Sequence, residues 1–178
     1  MLYTKTNAVG IDVEIQKAQR LLYDKLNTLW NIDISAYGRA YLLKRDKQVI
    51  PEVFVNDVDY KDVLGLDDNR FFFIQSNSSD RISNTRYECD VDIYFILNLK
   101  DVKSANHRAD EEVHSDVDYL LNQTNFEIKS LEIGFDNVIR DFKINERDNF
   151  NLSDFEPYHI FKYVCGIKYD ISKIECNG

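Results

Sequence analysis

From Asp12 to Asn31 apolar residues recur at spacings of three and four: Ile15, Ala18, Leu22, Leu26 and Leu29 form one stripe, widened by Leu21 and Trp30. That period predicts an amphipathic helix laid on a core. Glu14 falls in its first turn, where the helix dipole favours an acid. From Thr85 to Lys100 the period changes to two: Tyr87, Cys89, Val91, Ile93, Phe95, Leu97 and Leu99 alternate with Glu88, Asp90, Asp92, Tyr94, Ile96, Asn98 and Lys100. This is a long strand with one core face and a second face that is acidic at its start. A second helix is predicted over Ser104–Gln123, with Ala109, Val113, Val117, Leu120 and Leu121 as its stripe and Ser104 as its N-cap. The closing strand is His159–Ile171. His159, Phe161, Tyr163, Cys165, Ile167, Tyr169 and Ile171 share one side, and Lys162, Lys168 and Asp170 the other.

Shorter strands are predicted at Tyr37–Arg45, at Val49–Val55, and at Arg70–Gln75, which is apolar on both faces through Phe71, Phe72, Phe73 and Ile74. Pro51 places the second of these at an edge or near its own beginning, because proline donates no ladder hydrogen bond. Glu127–Phe142 supplies one or two more strands around Ile128, Leu131, Ile133, Val138 and Ile139. Asp57–Asn69, Ser76–Asn84 and Lys143–Pro157 read as polar loops, and Met1–Gly10 as an N-terminal arm. These four segments lack a core-forming pattern and are either candidate contact elements that order on assembly or plain solvated loops. Strands cluster and are not each followed by a helix. The expectation is therefore a single α+β domain over residues 1–178, with a mostly antiparallel sheet, an N-terminal helix and a second helix packed on one face.

Composition agrees with a packed domain: 44% of the 178 residues are hydrophobic, with 11 Tyr and 11 Phe against 6 Gly and 2 Pro. The formal net charge of −9 repels nucleic acid in general, and no basic cluster offers a phosphate-binding stripe. No basic segment followed by an apolar one opens the chain, and no apolar run approaches a membrane span, so a soluble protein made in the cytoplasm is expected. Cys89, Cys165 and Cys176 are odd in number and lack CxxC spacing, which predicts free thiols and neither a disulfide framework nor a zinc site.

Three groups invite a chemical reading. His107, Glu111, His114 and Asp118 share one side of the second helix, but the histidines stand two turns, roughly 10 Å, apart. A helical zinc pair needs histidines four residues apart, so a solvated face is the better account. Asn56, Asp57, Asp59, Asp62, Asp67 and Asp68 lack the glycine and glutamate of a calcium loop. Glu88, Asp90 and Asp92 form a carboxylate row without a nearby histidine or lysine motif, more in keeping with a wet sheet face than with a metal-dependent hydrolase. No nucleophile elbow or glycine-rich phosphate loop is present. No catalytic residue, metal ligand or cofactor is expected, and the reading is of a structural subunit rather than an enzyme.

The order of helix, paired strands, long alternating strand, second helix and closing strands resembles the tail-terminator, tail-completion and neck-ring proteins of tailed bacteriophages. It is carried by Asp12–Asn31, Tyr37–Val55, the segment "RYECDVDIYFILNL" of Arg86–Lys100, Ala105–Gln123 and the last strand "YHIFKYVCGIKYDI". The Asn-, Asp-, Ile-, Lys- and Tyr-rich composition is similar to that of crAss-like phages. The insert Lys143–Pro157 and the arm Met1–Gly10 depart from the pattern. The resemblance implies a virion protein of the head-to-tail connector, in a homo-oligomeric ring of six or twelve copies. That ring would bind the portal or adjacent neck ring and the tail proteins, with genomic DNA as passing cargo and no membrane contact. It also implies that Glu88, Asp90 and Asp92 line the channel and repel phosphate. The alternatives are an adaptor or regulator of a mobile element that binds one protein through its sheet edge, and the hydrolase considered above.

Overall fold

The computed structural model describes residues 1–45, 48–55, 59–64, 70–102, 109–140, 142 and 158–171. The insert Lys143–Pro157, Ser104, His107 and Cys176 lie outside the described residues. Helix α1 (Ile11–Trp30) is followed by β1 (Ser35–Arg45), β2 (Gln48–Val55), β3 (Asp59–Asp62), β4 (Arg70–Arg81) and β5 (Arg86–Asn98). Then come α2 (Leu99–Val102), α3 (Ala109–Leu121), β6 (Glu127–Ile133), α4 (Phe135–Val138) and β7 (Tyr158–Asp170). The strands form one sheet in the order β3-β2-β1-β4-β5-β7-β6. Among the described strands only the β1–β4 pairing is parallel, so the sheet is mostly antiparallel and the fold is α+β, as the pattern predicts.

Two cores result, one on each face. On the first, Ile15, Ala18, Leu22 and Leu26 of α1 and Val113, Val117 and Leu120 of α3 bury against Phe72, Ile74, Val91, Ile93, Phe95 and Phe161. The two helices are tied together where Trp30 Nε1 donates to Asp116 at 2.7 Å. The helix stripe needs one correction: Leu29 is 51% exposed, because Trp30 takes the buried position at the last turn. Asn31 then ends α1 in the left-handed conformation (φ 53°, ψ 47°), a role asparagine shares with glycine. On the second face, Phe71, Phe73, Tyr94 and Ile96 pack with Val138, Ile139 and Phe142. β5 is thus buried on both faces from Val91 to Leu97.

Four boundaries differ from the sequence reading. β4 continues through Arg81 into the predicted loop Ser76–Asn84, because its polar half pairs with β5 as far as Arg81↔Tyr87, past a bulge between Ser76 and Ser79. Asp59–Asp62 is a short strand within the predicted loop Asp57–Asn69, held by backbone pairing to Glu52–Val55. Val138 and Ile139 are not in a strand: Gly134, at φ 91°, turns the chain into α4, with Ile139 as its C-cap. Leu99 and Lys100 begin α2 and do not extend β5. Pro51 lies neither on an edge strand nor at the start of its own: it is the fourth residue of β2, which lies between β3 and β1. Its carbonyl accepts from Val63 at 3.0 Å, so its nitrogen also faces the side where β3 ends and no ladder donor is needed.

The arm Met1–Gly10 is folded onto its own domain. Leu2 bridges Ala36, Tyr3 N–H donates to the Ala36 carbonyl, and Ala36 N–H donates to the Met1 carbonyl. Tyr3 stacks on Tyr37 with ring centroids 4.8 Å apart. Gln19, fully buried in α1, donates through Nε2 to the carbonyls of Tyr3 (2.6 Å) and Ala36 (2.8 Å). Gln19→Leu keeps the volume but strips both carbonyls of this donor, which costs about 1–3 kcal/mol. Urea denaturation should show the loss, together with faster hydrogen exchange at Tyr3. Unchanged exchange there would mean that the arm is held without Gln19.

Candidate functional site

β5, β7 and β6 place the three predicted carboxylates at different depths of the second sheet face. Glu88 is exposed and Asp90 half-buried, while Asp92 is only 8% exposed, under the flank of Tyr94, whose hydroxyl lies 3.4 Å from Asp92 Oδ2. Glu88 and Asp90 open onto a basin of about 750 Å³. Around it the carboxylates Asp80, Glu88, Asp90 and Glu127 alternate with the cations Arg86, Lys129 and Lys168. Lys168 stands directly across the ladder from Glu88. Lys129 reaches over β7 from β6 to pair with Asp90 at 2.5 Å. Gly166 lets it cross, since a Cβ there would lie 2.9 Å from Lys129 Cε. The hydrogen bond to Asp90 raises the Lys129 pKa. The basin is therefore a mixed ionic surface in which Asp90 already has a partner, and a phosphate approaching it meets both signs of charge.

Beside the basin the same face becomes dry. Lys162, 3% exposed, holds its ammonium 3.2 Å from Glu132 and 5.6 Å from the centre of the Tyr94 ring. Arg140 lies 3.6 Å from the same Glu132 oxygen. Asp92, Tyr94, Lys162, Glu132 and Arg140 thus form one polar chain across β5, β7, β6 and the residues after α4. Period two assigns Lys162 to the face opposite Phe161, but it does not show that this face is closed over.

The histidines give the arrangement that the sequence reading missed. His114, on α3, does not join a helical cluster with Glu111 and Asp118. Its Nε2 meets Nε2 of His159, on β7, at 2.8 Å. Phe161 lies against both rings, at 4.8 and 5.1 Å between centroids. Tyr163 Oη donates to the His114 carbonyl at 3.1 Å. Burial lowers the pKa of both imidazoles, and that of His159 falls to about 4, with the His114 charge as the second cause. Burial likewise pushes the Tyr163 hydroxyl up. One signal was legible: His159 falls in the inward set of its strand, and an inward imidazole needs a polar partner.

The two described thiols are poor nucleophiles. Cys89 and Cys165 are buried and free, and burial raises both pKa values, that of Cys165 to about 12. Asp59 and Asp62, the described members of the acidic stretch, sit in β3, and Asp62 accepts from the backbone N–H of Leu64. Among the described residues no group of three histidine, cysteine or acidic side chains is placed to hold a metal ion, and no helix is long and apolar enough to cross a membrane. No protein-family model matches the chain, and no curated protein matches it in sequence.

Proposed function

We propose that this protein is a structural subunit of the head-to-tail connector of a tailed bacteriophage, assembled as a homo-oligomeric ring through which DNA passes. The observation that carries this reading is the β6 edge. β6 closes one end of the sheet, has β7 as its ladder partner among the described strands, and leaves Leu131 and Ile133 36% and 45% exposed. An edge strand with outward apolar residues is suited to extending the sheet into a neighbouring subunit. Head-to-tail contacts of that kind close into a ring when the rotation per subunit fits the symmetry. In this reading Glu88 and Asp90, the open members of the carboxylate row, face the channel, and the acidic balance of the chain limits sticking to DNA.

Light scattering over a concentration series, alone and with the portal protein of the same virus, tests it. Rings are expected in at least one condition, countable by negative-stain imaging, and the pair Leu131→Arg and Ile133→Arg should return them to monomers. A protein that stays monomeric throughout, portal included, overturns the reading and leaves a single-partner adaptor as the better account.

A further inference from the structure

We propose that His114 and His159 form an acid-operated latch between α3 and β7, closed by their shared hydrogen bond and opened when both imidazoles carry a proton. The inference is independent of the connector reading. The geometry sets the rule. With the Nε2 atoms 2.8 Å apart and the ring centroids 4.9 Å apart, the two rings meet nearly end to end. One Nε2 must donate and the other accept. The neutral pair satisfies this, and so does the singly charged pair, in which an imidazolium donates to an imidazole. The doubly charged pair does not: two N–H groups and two positive charges then face each other across 2.8 Å, in a half-buried site beside Phe161.

The surrounding groups order the two protonations. On α3, Asp110, Asp118 and Glu111 favour charge on His114. His159 feels Asp110 alone among these acids and is opposed by the charge on His114. On β7, Tyr163 is held neutral by burial and is occupied by the His114 carbonyl. The acids on α3 favour the first proton on His114; on either ring one proton leaves the latch closed, and the second opens it. His159 has its pKa lowered on folding, from 6.5 to about 4. Between those values the unfolded or opened state binds more protons than the closed one, so closure is fully favoured above pH 6.5 and is lost as pH falls towards 4. What opens is the part of α3 around His114, over Phe161, while α1 stays packed on the sheet.

Hydrogen exchange corrected for intrinsic rates tests the latch. Between pH 7 and pH 4, amides of α3 around Val113 should lose at least tenfold more protection than amides of α1 around Leu22. In the double variant His114→Gln and His159→Gln, whose amides bond without titrating, the two helices should keep the same ratio at both values. Equal loss in α1 and α3 of the unmodified protein, or opening of the variant at the same pH, overturns the proposal. Should the variant not fold, carbon-13 titration of the histidines in the unmodified protein decides. Two imidazoles titrating at least about one pH unit apart support the latch, and independent titration of both near the ordinary value defeats it.

Discussion

Phe161→Ala is expected to destabilise the protein by about 3–5 kcal/mol, the range for removing a fully buried aromatic ring that the surroundings cannot replace. Phe161 is inaccessible to solvent and stacks on Phe95 at 4.8 Å with the planes 5° apart. Phe95 in turn stacks on Phe72 at 5.2 Å. The three rings run across β7, β5 and β4 beneath the helices, so the hole opens at the centre of the sheet, where backbone pairing on both sides resists collapse. Tyr163 meets Phe161 edge-on at 6.0 Å, and both histidine rings rest on it. For a chain of this length the loss corresponds to a fall in Tm of about 10 °C. Leu29→Ala is the control: Leu29 belongs to the helix stripe by spacing but is half exposed, and its removal should stay within about 0.5 kcal/mol. Urea unfolding of both variants checks the pair. A Phe161→Ala loss below about 1 kcal/mol would mean that the stacked rings re-form around the gap.

Glu132→Ala should cost about 3 kcal/mol, because it leaves the ammonium of Lys162 buried without its counter-charge. Lys162 is 3% exposed, and its ammonium also lies over the face of Tyr94, which carries no counter-charge. The converse is more telling. Replacing both partners together, Lys162→Met with Glu132→Leu, should bring stability back to within about 1 kcal/mol of the original, since a buried ion pair offsets little more than its own desolvation. The coupling between the two sites, read from a double-mutant cycle by chemical denaturation, is expected to exceed about 1 kcal/mol. Additive effects would show that water reaches Lys162 and that the pair is an ordinary surface contact.

The parts of this fold legible from sequence are those whose burial is written in an apolar pattern. α1 and α3 announce themselves because Leu22, Leu26, Val113 and Val117 recur with the helical period and are all buried. The first half of β4 is legible as apolar on both faces, and both cores use it. The second half is not. Ser76–Arg81 is polar, and pairing with β5, not burial, makes it a strand. The charged β3 is hidden for the same reason. α4 misleads in the other direction: Val138 and Ile139 have strand character, and only the positive φ of Gly134 turns them into a helix and its cap. Period two also divides Tyr94 and Ile96 from the inward set of β5, and what it omits is a second core on their side. At the candidate site the row Glu88, Asp90, Asp92 is legible as a row. Its graded depth, the crossing of Lys129 over Gly166 and the meeting of His114 with His159 are products of strand order, which no local pattern encodes.

That strand order also bears on how the chain is made. β7 lies between β5 and β6 and pairs with β5 along its whole length and with β6 over Phe161–Gly166, although β6 precedes it in the sequence. During translation β6 therefore has no strand to join until residues 158–170 have cleared the ribosome. Until then β5 presents an unpaired edge, with Phe95 lacking the ring that covers it. The nascent protein is a five-stranded sheet, β3 to β5, whose apolar rim stays open longest at the interior, not at the border. Any interruption before the final strand yields a product with two unmatched edges in place of a shorter version of the native sheet. Such edges are templates for pairing between chains. Arrival of β7, rather than gradual growth of the sheet, is the event that commits this protein to its native form.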